Sequence, residues 1–164
     1  TNSYSDKKQI NIYKYYQSEH DIFKLDKFNI LKEKIEKLIS EDRKITFVNN
    51  LDIKFIVNKM WFVKSSKGVD LASHSHPEGV LSGIFYYKVP NHKEPGNLII
   101  HNPRNNIIIS DNNNLKNFQR IKDNIILKPI ENTIVVFNSY LKHSVKNKSS
   151  NEDRISIPFD LNLN

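Results

Sequence analysis

Two histidines separated by a single residue, His74 and His76, open the run His74-Ser75-His76-Pro77-Glu78-Gly79-Val80-Leu81-Ser82-Gly83-Ile84-Phe85-Tyr86-Tyr87. In an extended strand residues i and i+2 point to the same face, so both imidazoles can be aimed at one metal ion. Such a site needs a third ligand. The best candidate is His143, which follows the apolar run Val135-Val136-Phe137 and the segment Asn138-Ser139-Tyr140-Leu141-Lys142. Arg154 comes eleven residues later and opens Arg154-Ile155-Ser156-Ile157-Pro158-Phe159. Strand alternation places Arg154, Ser156 and Pro158 on one face and Ile155, Ile157 and Phe159 on the other. A guanidinium with a hydroxyl beside it suits bidentate binding of a carboxylate.

This order of motifs resembles the Fe(II) and 2-oxoglutarate-dependent oxygenases. The likeness is to members with the patterns H-x-H-P-x-x-x-x-S-G-x-Y-Y, F-P-S-x-L-x-H-x-V and R-I-S-I-S-F, and it covers roughly residues 58–160. The resemblance implies a double-stranded β-helix, the jelly-roll or cupin-like fold, with flanking helix. It implies that His74, His76 and His143 hold Fe(II), and that Arg154 with Ser156 holds 2-oxoglutarate. Tyr87, taken as the second tyrosine of the pair, would add a hydroxyl to the same carboxylate. The reaction implied is that of a dioxygenase. Oxygen and 2-oxoglutarate are consumed, succinate is released, and a substrate C–H is hydroxylated. Likeness to prolyl hydroxylases makes a peptidyl or free amino-acid side chain the first expectation for substrate.

Two departures stand out. Most of the superfamily has a carboxylate where this chain has His76, so either three histidines form the site or Glu78 supplies the carboxylate. Asn138 stands where the family usually carries proline, which alters loop stiffness rather than chemistry.

The chain has no cysteine, so disulfides, thiolate ligands and iron–sulfur clusters are excluded and any metal must be held by nitrogen and oxygen. Its 164 residues suit one domain over 1–164, and the resemblance implies a further family strand ahead of residue 1, so that residue 1 need not be the true start of the domain. No apolar run is long enough to cross a bilayer, and Thr1 to Lys8 lacks the apolar centre of a signal peptide, which leads to the expectation of a soluble cytoplasmic protein. The formal charge of +7 is spread along the chain rather than gathered in one block. That distribution argues against nucleic acid as the partner, although tyrosines interleave with lysine in Ile12-Tyr13-Lys14-Tyr15-Tyr16.

Positioning such a site requires a scaffold. Phe28, Leu31, Ile35, Leu38 and Ile39 recur at three- and four-residue spacing, which predicts an amphipathic helix over Asp26 to Glu41, with Asp26 as N-cap and Glu33 pairing with Lys37. Strands are expected over Asn58 to Lys64, Ile84 to Val89, Asn97 to His101, Ile125 to Pro129, Thr133 to Phe137 and Arg154 to Leu163, with a short apolar run over Ile107 to Ser110 and a loop over Asp111 to Asn114. Trp61 is expected in the core. His92 and His101 are expected at the surface, and His20 stands alone among polar residues. Two rival functions remain: a cupin-like barrel that binds metal or ligand without oxidative turnover, and a basic interaction module with incidental histidines.

Overall fold

The computed structural model describes residues 15–41, 54–68, 70–103, 124–146 and 150–164. The short apolar run over 107–110, the loop over 111–114 and the first apolar positions of the chain lie outside them. Ten strands and one α-helix are present among the described residues.

The strands form two antiparallel sheets. The larger contains β1 (Tyr15–Gln17), β2 (Phe55–Met60), β3 (Val63–Ser65), β5 (Leu81–Lys88), β8 (Ile134–Asn138) and β10 (Arg154–Leu163), with spatial order β1-β3-β10-β5-β8 and β2 also pairing with β10. The smaller contains β4 (Leu71–His74), β6 (Leu98–His101), β7 (Asn124–Leu127) and β9 (His143–Val145), in the order β4-β9-β6-β7. Ile84, Tyr86, Leu98, Ile100, Phe137 and Val145 fill the space that both sheets face. This is the expected jelly roll.

Helix α1 (Asp26–Glu41) keeps its predicted bounds, and it packs Ile35 and Ile39 against Phe55, Val57, Leu161 and neighbours. Burying each isoleucine contributes about 1.5–3 kcal/mol. Leu38, expected on that face, is 54% exposed. Its last turns carry Lys32–Glu36 and Lys37–Glu41 pairs, so Lys37 reaches forward to Glu41. Asp26 lies inside the first turn rather than before it.

The predicted strand over 58–64 is two strands. β2 and β3 break at Trp61 and Phe62, and the break falls where β10 changes partner from β3 to β2. Pro158 occupies that point of β10; having no N–H, it leaves no ladder donor unpaired, while its carbonyl accepts from Trp61 N at 3.1 Å. β10 is the spine of the site. It pairs with β5 over nearly its whole length and turns Arg154, Ser156, Pro158 and Asp160 toward one cavity.

Candidate metal and cosubstrate site

The cavity between the sheets has a volume of about 430 Å³ and contains all three histidines singled out in the sequence. His74 ends β4, and His143 begins β9 directly opposite it in the ladder. His76 lies beyond the strand, in the turn between β4 and β5, so the pair is not two successive inward positions of one strand as expected. The turn is held by His76 N donating to Ser139 O at 2.9 Å and Gly79 N to His76 O at 3.1 Å. The imidazoles nevertheless converge, with one ring nitrogen of each within 4.8 Å of the others.

The partners of these rings decide which nitrogen is free. His74 Nδ1 lies 2.8 Å from Ala72 O, and His143 Nδ1 lies 3.1 Å from Leu141 O. A carbonyl oxygen can only accept, so Nδ1 carries the proton in both and Nε2 keeps its lone pair. His76 Nδ1 is bound to Asp160, at 2.8 Å from Oδ1 and 3.0 Å from Oδ2. His143 is buried at 4% exposure, and that burial pushes its pKa down to about 4, keeping the ring neutral. Three imidazoles offering Nε2 to one point could hold Fe(II), zinc, nickel or copper.

Glu78 is outside this group. It sits at the exposed tip of the turn, ion-paired with Lys59, and that ammonium holds its carboxyl below the ordinary range. The carboxylate near the metal position is Asp160, which sequence reasoning passed over.

Arg154 lines the same cavity at 6% exposure. One guanidinium nitrogen donates to Gly96 O at 2.7 Å, whereas Nε is buried without a partner. Among the described residues no carboxylate pairs with it. Burial lowers its pKa, opposed by Tyr86 and Tyr15 nearby. A desolvated cation of this kind is costly unless an anion meets it. Ser156, 3% exposed, shares its face. The donor set therefore fits 2-oxoglutarate as well as the histidines fit iron.

Tyr87 does not face this pocket and the expectation is corrected. It is 58% exposed, whereas Tyr86 is 2% exposed and lines the cavity. The register gives the reason: Ile155 pairs with Lys88 and Ser156 with Tyr86, so the pairing skips Tyr87 at a bulge and turns it to solvent. Burial raises the Tyr86 hydroxyl to about 12.

Trp61, expected in the core, is buried but lines the cavity, its ring 5.5 Å from His76 and 4.8 Å from His20. His20 reaches the cavity mouth through the Asp21–Met60 bridge that ties its segment to β2. His101 lies outside the cavity lining, with its nitrogens on Asn124 and Ser144.

A family profile described as "Putative 2OG-Fe(II) oxygenase" matches residues 59–160, from Lys59 to Asp160, and so spans the whole site. The chain belongs to this family of 2OG-Fe(II) oxygenases. No curated protein sequence matches it. Among solved structures, it resembles a prolyl-4-hydroxylase from Pseudomonas putida at TM-score 0.59 and 13% identity, over 90% of this chain and 71% of the other. AviO1 from Streptomyces viridochromogenes Tue57 is similar at TM-score 0.60 and 13% identity, over 90% and 66%. An oxidoreductase of the 2OG-Fe(II) oxygenase family from Burkholderia pseudomallei gives TM-score 0.53 and 14% identity, over 79% and 57%. The chain thus spans 57–71% of the lengths of these proteins, which share its fold. Among the described residues no helix is long and apolar enough to cross a membrane.

Proposed function

We propose that this oxygenase-family chain is a dioxygenase that couples 2-oxoglutarate to hydroxylation of a substrate C–H, with a peptidyl or small-molecule substrate. His74, His76 and His143 would hold Fe(II). Arg154, Ser156 and Tyr86 would hold the far carboxylate of 2-oxoglutarate. Iron with 2-oxoglutarate and O₂ supplies the oxidising power, and succinate and CO₂ leave.

The protein's contribution is placement. Carbonyls of Ala72 and Leu141 fix two ring tautomers, and burial keeps His143 neutral. The Arg154 guanidinium, already desolvated and short of one partner, is preorganised for an anion and loses little by binding it. Tyr86 keeps its proton and so donates rather than repels. The remaining cavity, walled by Trp61 and open near His20 and Lys59, gives the substrate its approach and keeps bulk water from the reacting bond.

The observation that carries this reading is one cavity with three free Nε2 atoms and a buried guanidinium that, among the described residues, has no carboxylate partner and leaves its Nε unsatisfied. The test is succinate release from 2-oxoglutarate by the Fe(II)-loaded chain, with and without peptide and amino-acid substrates. Release that requires both iron and Arg154 supports the reading, and its absence with metal bound overturns it. The second reading, a metal-binding barrel without turnover, draws on the absence, among the described residues, of a carboxylate from the ligand group, because two histidines and one carboxylate are the usual set for Fe(II) oxygenases. Tight metal binding without succinate would select it.

A further inference from the structure

Asp160 is an acidic side chain in an otherwise apolar stretch of β10, 3% exposed. A buried carboxylate survives only when its oxygens are matched by donors. Ser82, its partner across the β5–β10 ladder, donates to Oδ1 at 2.6 Å, and His76 Nδ1 lies 2.8 Å from the same oxygen and 3.0 Å from Oδ2. Having given its one proton to Asp160, Ser82 Oγ accepts from Ser139 Oγ at 3.0 Å, joining Asp160 to the segment whose Ser139 carbonyl holds the His76 backbone. Gly79 completes the seat. A Cβ there would lie 2.9 Å from Ser139 Oγ and 3.3 Å from Asp160 Cβ, so the turn carrying His76 is pressed onto this carboxylate.

His76 is the one histidine of the three whose ring is not oriented by a backbone carbonyl, and it lies off the strand. Something else must fix it. With imidazole at all three candidate positions, the centre also lacks the negative charge that a carboxylate ligand would bring. Resting on the three-histidine reading above, we propose that Asp160 is a positioning residue that holds His76 in the Nδ1–H form, aims its Nε2 at the metal, and supplies through that ring the negative charge missing from the ligand set. The carboxylate is thereby moved one residue outward from the metal.

The test uses the full chain loaded with zinc(II), which is diamagnetic. Long-range ¹H–¹⁵N spectra are expected to show His76 bound through Nε2, with an Nδ1 proton protected from exchange that is lost in Asp160→Ala. In calorimetric titrations with nickel(II), affinity is expected to fall about 10-fold for Asp160→Asn, which keeps an acceptor but loses the charge, and about 100-fold for Asp160→Ala. Circular dichroism should stay unchanged. Unaltered affinity in Asp160→Asn, or His76 bound to zinc through Nδ1 in the wild type, overturns the inference. Both of those readouts stand even where Asp160→Ala fails to fold. Failure of the oxygenase reading looks different: metal binds with the Asp160 dependence intact, and no succinate appears. A wild type that takes up no metal through His143 overturns both.

Discussion

His74 and His143 face each other directly across the β4–β9 pair, with ring centroids 4.3 Å apart. Two residues far apart in the chain are brought together by a ladder register, and each ring is then oriented by the carbonyl two residues before it. Because the backbone does this, the pair is set before any metal arrives. Alanine at His74, His76 or His143 should therefore weaken nickel(II) binding by more than the roughly 10–100-fold typical of an outer partner. Glu78→Gln removes only an exposed ion pair and should leave metal affinity within about fivefold. Calorimetry on the four variants checks the contrast, and a larger loss in Glu78→Gln would return that residue to the metal.

Arg154 separates cosubstrate from metal. One charge-assisted hydrogen bond of about 1.5–3 kcal/mol is at stake, so Arg154→Ala should raise the 2-oxoglutarate requirement by about one to two orders of magnitude while iron content stays nearly intact. A thermal measurement adds a second reading. 2-Oxoglutarate at about 100 times its wild-type Kd should stabilise the metal-loaded wild type by about 2.7 kcal/mol and the variant by only about 0.4–1.4 kcal/mol. Equal loss of iron and cosubstrate would remove Arg154 from its assigned place.

Tyr86 and Tyr87 offer a test by substitution of neighbours. Tyr86→Phe should raise the KM for 2-oxoglutarate, and Tyr87→Phe should not, because only the former hydroxyl faces the cavity. The same residue gives a pH dependence. Burial lifts the Tyr86 hydroxyl from 10.0 to about 12, so folding favours the neutral phenol. That stabilisation is complete below pH 10 and is lost as the pH rises from 10 toward 12. Urea unfolding across this window should show a steeper decline for the wild type than for Tyr86→Phe. Tyr15, shifted in the same direction, is present in both proteins and cancels in the difference.

Much of this site is readable from residue order because its parts repeat local rules. Apolar spacing gave α1 its bounds, alternation put Arg154 and Ser156 on one face of β10, and His143 follows an apolar strand. The same alternation reaches Asp160, two positions beyond Pro158, so its inward direction was available in the sequence; only its partner His76 required the fold. Tyr86 was also within reach. Counted from Ser82-Gly83, the second aromatic of the S-G-x-Y-Y pattern falls on Tyr86, and the bulge at Ile155–Ser156 explains why its neighbour turns away. His20 and Trp61 were not legible. Their approach to the cavity depends on the Asp21–Met60 bridge and on the break between β2 and β3, which no periodicity encodes.

Gly83 tests the scaffold independently of the chemistry. It pairs with Phe159 across β5 and β10, and a Cβ on Gly83 would meet three ring carbons of Phe159 at 2.2, 2.5 and 2.9 Å. Phe159 is fully buried in the core beneath α1, so the ring cannot swing aside without displacing Met60, Ile157 or Leu161. Gly83→Ala should therefore cost at least the ~1–3 kcal/mol typical of an overpacked core, read as a lower urea midpoint. Phe159→Leu alone opens a void and also destabilises. In the double variant the smaller side chain makes room for the methyl group, so the combined loss should be less than the sum of the two single losses. Strict additivity would show that the glycine serves the β5 backbone rather than the aromatic ring opposite it.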